Sequence, residues 1–433
     1  MSQAGALGVG IVGFGTVGRG TAEILVSQGA ALAARTGIAL QLAAVCRRRP
    51  LAAAEVPAGA RAFQDWRQLV AAPEVRVVVE TMGGIGAARE VVLAALAHGK
   101  PVVTANKNLL AAHGEEIFAY AAEQRLAVGF EAAVAGGVPV VRAIADGAAG
   151  DEIVAVQGIL NGTANYILCR METAGLEFGV ALAEAQRAGY AEPDPELDLN
   201  GVDARDKLAI LARLAFGGGI AAEAIPTAGI RGIESVDVHY ARALGGVIRL
   251  VASAERGPAG VHVSVRPWWV PLDSLLGRVQ GVNNAVVLTG RRIGTQMFYG
   301  PGAGGAATGA AVVADLVAVG SAIASGRMGA QVPNGFAAGA RLPLAAAPVA
   351  PWYLRLTVAD RPGILARAAG LLAAEGINID SVVQEPGMEK QRLSFVITTE
   401  PAAEASLAAA VAQMDAADYL LTPVLRLRMA AGG

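Results

Sequence analysis

Lysine is nearly absent from this chain. Only Lys100, Lys107, Lys207 and Lys390 occur in 433 residues, against thirty-one arginines. Arginine evidently serves wherever plain surface charge is wanted. A surviving lysine therefore marks a place where a guanidinium will not do, because an ammonium can give up its proton. Cysteine is as scarce: Cys46 and Cys169 offer neither a disulfide framework nor a thiolate zinc site. The four histidines, His98, His113, His239 and His262, stand away from every motif, with no Ser–His–Asp arrangement and no HExxH. His98 and His113 read as helix-end or loop residues. Net charge is lacking too. A formal −2 and a pI near 6.2 argue against a protein that grips nucleic acid or a membrane surface electrostatically. The opening MSQAGALGVGIVGFG has no basic region ahead of a cleavable apolar run, and a reducing cytoplasm is the expected location. The most apolar stretch, residues 306–324, carries Asp315 at its middle and reads as a buried helix rather than a membrane span.

What is present supports two or three domains with sizeable cores, since hydrophobic residues make up 54% of the chain. From residue 7 to about 134, short β-branched runs (LGVGIVGFG, LQLAAVC, VRVVVETM, KPVVTAN, RLAVGFEA) alternate with alanine-rich helical stretches. That alternation predicts parallel βαβ units, an α/β domain. Residues 135–335 mix strands, longer helices and glycine turns, as an α+β domain would. Residues 336–351, with three prolines and no periodicity, read as a linker. Residues 352–433 then give strand, helix, strand, strand, helix, strand, a βαββαβ order in one small domain.

Gly13, Phe14, Gly15, Thr16, Val17 and Gly18 form GxGxxG directly after the first strand and at the start of a helix. In that setting the motif is a dinucleotide-binding, Rossmann-type turn. Gly13 allows the tight turn, Gly15 lets backbone approach a pyrophosphate, and Gly18 lets helix and strand pack closely. The helix N-terminus offers its free N–H groups to the phosphates. The second strand ends at Cys46 and runs into Arg47, Arg48 and Arg49, where an NAD site would place an acid. Arginine suits a 2′-phosphate, so NADP is expected, with NAD the alternative. Gly18 and Arg47 lie farther apart than the usual ~20 residues, so SQGAALAARTG must lengthen the first helix or its following loop.

TANKN follows a strand and places Lys107 beyond its carboxyl end, the ligand side of an open α/β sheet. Lys207 follows six carboxylates in GYAEPDPELDLNGVDARDKLAIL: Glu192, Asp194, Glu196, Asp198, Asp203 and Asp206. Asp203 and Lys207 are i, i+4 on a helix expected over 201–216 and share one face. An ordinary surface pair would use arginine in this chain, so Lys207 is expected to be catalytic, an ammonium that can give up its proton. Pro193 and Pro195 block helix around the acids and predict an extended loop. Carboxylates facing a lysine suit a zwitterionic amino-acid substrate.

Together these residues closely resemble homoserine dehydrogenase across essentially the whole chain. GFGTVGRG, VVVETMGG, PVVTANKNLLA, FEAAVAGGVPVV, GILNGTANYIL, the acidic segment above and GPGAGGAATGAAVVADL occur in family order. The tail DRPGILARAAGLLAAEGINI resembles an ACT domain, a small-molecule-sensing module. The resemblance implies reversible, NAD(P)-dependent reduction of L-aspartate 4-semialdehyde to L-homoserine, feeding threonine and methionine synthesis. It makes Lys207 the proton donor and places Lys107 between cofactor and substrate. Asp203 and Glu192 contact the substrate, with Asp198 in support and Asn161 and Thr163 at the pocket floor. Gly189 and Glu192 lie near the cofactor, and residues 302–305, ending at Gly305, close over the nicotinamide. The helix of about 306–325 returns to the first domain (1–134). Ala307-Thr308-Gly309 departs from the family's PTA and predicts a looser loop. A structural sodium ion is implied at Glu131, Val134, Gly136 and Val138, a homodimer or homotetramer as the assembly, and threonine as an effector at the ACT domain. Two other readings stay open: a dehydrogenase of another amino-acid aldehyde or keto acid, and a non-enzymatic dinucleotide sensor.

Overall fold

The computed structural model describes residues 5–328, 336, 341–386 and 389–430. The chain forms two compact units, one from residues 1–156, 206–225 and 284–342, the other from 157–205, 226–283 and 343–433.

The first unit holds six strands, β1 (Leu7–Val12), β2 (Leu40–Cys46), β3 (Arg61–Phe63), β4 (Val77–Glu80), β5 (Val102–Thr104) and β6 (Val128–Gly129). They pair in parallel in the order β3-β2-β1-β4-β5-β6. The order reverses between β1 and β4, the crevice where such sheets bind ligands. The central strands are buried on both faces, which is why they read as unbroken β-branched runs rather than alternating ones. The first helix spans Thr16–Thr36, so the extra residues before β2 lengthen it. Gly37, at φ 73, ends it in the left-handed conformation.

The helix Gly305–Ala324 packs against that first helix and adds Ala311, Val312, Leu316 and Val319 to the core under β1 and β2. Among the described residues it is the one helix long and apolar enough to cross a membrane. Its Asp315 is buried and bonded to Arg142, which marks a core helix. Ala307, Thr308 and Gly309 are in its first turns, not in a loop. A Cβ on Gly309 would meet the Thr21 nitrogen at 2.7 Å, so the expected looseness is replaced by close helix–helix contact.

β7 (Ile153–Ile159) leads into the second unit, whose strands β8 (Gly246–Gly257) and β9 (Gly260–Pro271) form a long antiparallel hairpin. A second hairpin, β10 (Asn283–Gly290) and β11 (Gly294–Pro301), follows in the chain. The C-terminal βαββαβ pattern is realised as β12 (Trp352–Val358), β13 (Ile379–Val383), β14 (Leu393–Thr399) and β15 (Leu425–Met429) with helices Ile364–Ala374 and Glu404–Asp415. Its order, β15-β12-β14-β13, continues edge to edge from β9 through parallel pairing of β15. Both faces of β12 and β14 are buried: one by the module's own helices, the other by the helix Ser235–Ala243. Pro362 lies just before its helix, whose N-cap is Gly363 at φ 93.

The expected linker falls partly outside the described residues, at 337–340. Of the rest, Phe336 is fully buried, and Arg341, Leu344 and Ala350 each form an isolated β-bridge.

Candidate active site

The GxGxxG turn meets strict spatial demands. Gly13 sits at φ +100, and a Cβ there would lie 2.5 Å from the Thr81 carbonyl carbon. A Cβ on Gly18 would strike the Gly13 oxygen at 2.3 Å, whereas Gly15 faces open space. The Thr81 hydroxyl donates to the Gly13 oxygen at 2.6 Å and ties β4 to the turn. Thr16 and Val17 begin the helix behind it. The turn borders a cleft of about 340 Å³ lined by Gly13, Phe14 and Gly15 on one side and Arg47, Arg48 and Arg49 on another. Gln64 and Trp66 complete its rim, and among the described residues no carboxylate lines it. Burial pushes the Cys46 thiol at its edge up to about 11, so it stays neutral.

Lys107 is placed by a network that the sequence did not disclose. Glu80 ends β4 fully buried. Its carboxylate accepts from the Thr104 hydroxyl and the Met82 amide, each at 2.7 Å, and burial holds its pKa above the usual range. The Thr104 oxygen accepts from the Asn106 amide, and Asn106 Oδ1 caps the helix Lys107–Glu123 through the Leu109 amide at 3.1 Å. Lys107 is therefore the first helical residue beyond β5, half-buried at the carboxyl edge of the sheet. The only advance signal was an acid ending an apolar strand.

Asn161 is the hub of the acidic segment. Its Oδ1 accepts from the Ala164 amide at 2.8 Å and caps the helix Gly162–Ala174. Its Nδ2 donates to Asp198 at 2.6 Å and to Asp203 at 2.9 Å. One side-chain amide thus aims two carboxylates. Thr163 donates to the Tyr190 carbonyl at 2.7 Å and pins the turn that begins at Gly189, whose φ is 74. Glu192 is exposed, with its backbone oxygen accepting from Gln186. The extended loop ends at Pro195: this proline N-caps a single turn, Glu196–Leu199, so Asp198 projects from a helical turn. Proline's fixed φ suits such a start as well as it blocks a helix interior. Lys207 is half-buried on Val202–Phe216, one turn beyond Asp203.

Gly305 opens its helix against Thr16, where a Cβ would meet the Thr16 oxygen at 2.8 Å. Nearby in the same unit, Ala135 and Gly136 both have left-handed φ, 56 and 55. A Cβ on Gly136 would meet the Gly302 oxygen at 2.4 Å, so the turn carrying Val134, Gly136 and Val138 presses on residues 302–303. Glu131 is buried, its carboxylate accepting from the amides of Val141 (2.8 Å) and Arg142 (3.0 Å), and its own amide donates to Asp315 at 2.8 Å. Arg142 pairs with both carboxylates, with Glu131 at 3.6 Å and with Asp315 at 2.8 Å. Among the described residues no group of three or more His, Cys, Asp or Glu side chains could hold a metal ion. The histidines take no part: His98 caps a helix end, and His113 lies inside the Lys107–Glu123 helix beside Glu116, not at a helix end or in a loop.

Three family profiles match in register with these parts. "Homoserine dehydrogenase, NAD binding domain" matches residues 13–131, "Homoserine dehydrogenase" 139–317, and "ACT domain" 352–418. A homoserine dehydrogenase of Pseudomonas aeruginosa is 41% identical over 97% of this chain and 98% of its own length. The crystal structure of a homoserine dehydrogenase from Thiobacillus denitrificans superposes with a TM-score of 0.90 at 38% identity, covering 98% of each chain. A hyperthermophilic archaeal homoserine dehydrogenase in complex with NADPH superposes with a TM-score of 0.60 at 26% identity, covering 73% of this chain and 98% of its own.

Proposed function

The chain belongs to the homoserine dehydrogenase family, NAD(P)-dependent oxidoreductases that interconvert L-aspartate 4-semialdehyde and L-homoserine, and from that premise we propose how its own residues divide the work. The carrying observation is Lys207 on the same helix face as Asp203, whose carboxylate Asn161 holds in place.

A bound nicotinamide supplies the hydride. Gly13, Phe14, Gly15, Thr16, Val17 and Gly18 receive the pyrophosphate, and residues 302–305 with Gly189 and Glu192 border the nicotinamide end. Arg47 and Arg48 take the 2′-phosphate. That no carboxylate lines the cleft among the described residues, and that the archaeal relative holds NADPH, support NADP over NAD. Asp203 and Glu192 hold the substrate ammonium, Asp198 keeps the Asn161 amide aimed at Asp203, and Thr163 shapes the floor. As the aldehyde carbon is reduced, charge grows on its oxygen. The Lys207 ammonium stabilises that charge and gives the oxygen its proton, and Lys107 orients the reacting groups.

Sodium is read as structural. Glu131 with the backbone oxygens of Val134, Gly136 and Val138 would hold it, and a monovalent cation there would offset the charge of the buried Glu131 carboxylate as it ionises. Regulation is read through the C-terminal module. Its sheet is bonded to the helix Ser235–Ala243, and Ser235 in turn donates to Glu177, just beyond the helix that Asn161 caps. The division into 1–134, 135–335 and 352–433, a cytoplasmic location and a homodimer or homotetramer complete the reading.

The deciding experiment is aspartate semialdehyde reduction with NADPH against NADH, with and without threonine. Turnover with NADPH, lost in Lys207→Ala with cofactor binding intact, is the expected result. Full turnover in that variant removes the assigned role, and a flat response to threonine, isoleucine and methionine removes the regulatory one.

A further inference from the structure

Lys107 and Lys207 sit on two helices, and those helices are joined by a clasp remote from both. Arg213, on Val202–Phe216, places Nη1 2.8 Å from Glu115 Oε1 on Lys107–Glu123. The guanidinium is almost buried, 11% exposed, and lies over the Phe336 ring at 5.0 Å. Phe336 packs against Phe118 and Phe130, with ring centroids 4.4 Å and 5.8 Å away, and those two rings also touch each other at 5.2 Å.

Glycines make the room. A Cβ on Gly114 would lie 2.7 Å from the Phe336 ring. One on Gly219 would lie 2.3 Å from Arg213 Nη2, and one on Gly218 would lie 2.9 Å from the Leu342 side chain. The Leu342 amide also donates to the Gly219 oxygen at 3.1 Å. Residues 336 and 341–342, which composition marks only as a linker, are thus seated against the middle of the Lys107–Glu123 helix and the C-terminal end of Val202–Phe216. Arg213 lies six residues beyond Lys207, about 9 Å along the axis, and Glu115 eight beyond Lys107, about 12 Å.

We propose that Arg213, Glu115 and Phe336 are positioning residues that fix Lys207 relative to Lys107. The inference rests on the roles given above to the two lysines. None of the three is among the residues assigned above to substrate or cofactor. Each acts by setting where a helix, and so its lysine, stands. An error of about 1 Å in a reacting group costs on the order of 10²-fold in rate, so a slackened clasp reaches the chemistry without touching it.

The test uses the full-length enzyme with Arg213→Met, Glu115→Gln and Phe336→Leu, each also made in a Lys207→Ala background. Turnover is measured together with NADPH affinity by fluorescence and the fraction of sites that bind NADPH. The expected result is a kcat about ten- to a hundredfold lower per NADPH-binding site, with NADPH affinity unchanged within about twofold. Arg213→Met with Glu115→Gln should cost no more than the worse single change, because they break one contact. In the Lys207→Ala background the clasp variants should cost nothing further, whereas a merely structural role would lower both backgrounds alike. Normal turnover per site in Glu115→Gln and Phe336→Leu overturns the proposal even if Arg213→Met fails to fold. Lys207→Ala separates the two failures: if it keeps full turnover the lysine assignment falls, and if it alone is inactive only the clasp falls.

Discussion

Arg355 Nε stands 2.7 Å from Asp237 Oδ1, and both side chains are almost sealed from solvent. The pair joins β12 of the C-terminal module to the helix Ser235–Ala243. The remaining guanidinium hydrogens reach Glu234 Oε1 (2.9 Å), the Thr357 hydroxyl (3.0 Å) and the Gly232 carbonyl (3.1 Å), and the Tyr353 hydroxyl donates to Asp237 at 3.2 Å. Burial pushes the Asp237 carboxyl up to about 6 against the pull of Arg355, which still leaves it ionised at neutral pH.

Breaking that pair from one side leaves a buried charge without its counter-ion. Asp237→Ala should destabilise the second unit by about 3–5 kcal/mol, and Asp237→Leu with Arg355→Met by much less, since no charge is then stranded. Denaturant unfolding of the three variants checks this. Equal losses in the single and double variants would mean that packing rather than charge is what matters.

Glu131 gives stability a pH dependence of definite sign. Burial, with Asp315 adding repulsion, pushes its carboxyl up to about 7, against hydrogen bonds from the Val141 and Arg142 amides and the Arg142 charge that pull it down. The folded protein holds this proton more tightly than the unfolded chain. Its stabilisation is complete below about 4.5 and lost as the pH rises through about 7, worth about 3 kcal/mol at most. Tm should fall chiefly between about pH 4.5 and pH 7 and level off above about pH 8, less steeply in Glu131→Gln. Sodium held at the proposed site would favour the ionised form, so replacing sodium with a bulky organic cation should steepen the fall.

Arg47 and Arg48 should separate the two cofactors. Losing a charge-assisted bond to phosphate costs about 1.5–3 kcal/mol, so Arg48→Ala should raise KM for NADPH at least tenfold. KM for NADH should stay within about twofold, because NADH carries no 2′-phosphate to lose. Equal effects on both cofactors would move the arginines to the shared pyrophosphate.

Asn161→Ala removes two things at once. The lost cap costs about 1 kcal/mol of stability. The two carboxylates also lose the donor that aims them, and KM for aspartate semialdehyde should rise by more than tenfold, leaving NADPH affinity intact. Asn161→Asp keeps the cap but sets a third carboxylate against Asp198 and Asp203. It should therefore keep Tm better than alanine does, yet bind substrate no better.

The parts of this site that could be read in the sequence are those fixed by short-range spacing. The glycine turn, the Asp203–Lys207 face and Lys107 beyond a strand each lie within a few residues, where helix and strand periodicity decide geometry. Asn161 could be placed only by resemblance, because its partners Asp198 and Asp203 lie about forty residues away and nothing local announces the bond. Glu80 was hidden in a β-branched run, and Phe336 in a stretch whose prolines and alanines read as a connector. Pro195 misled in a different way: the residue that forbids a helix interior also begins one, and Asp198 sits on the turn that follows.

The helix Gly305–Ala324 covers the apolar face formed by β1, β2 and the first helix, which are made some 270 residues earlier on the ribosome. During synthesis that face has nothing to rest on until the late helix emerges. A nascent chain of this architecture spends most of its translation with half a nucleotide fold open to water, so its need for chaperones should be set by this delay. A truncation short of residue 324 should aggregate even though every residue of the glycine turn is present.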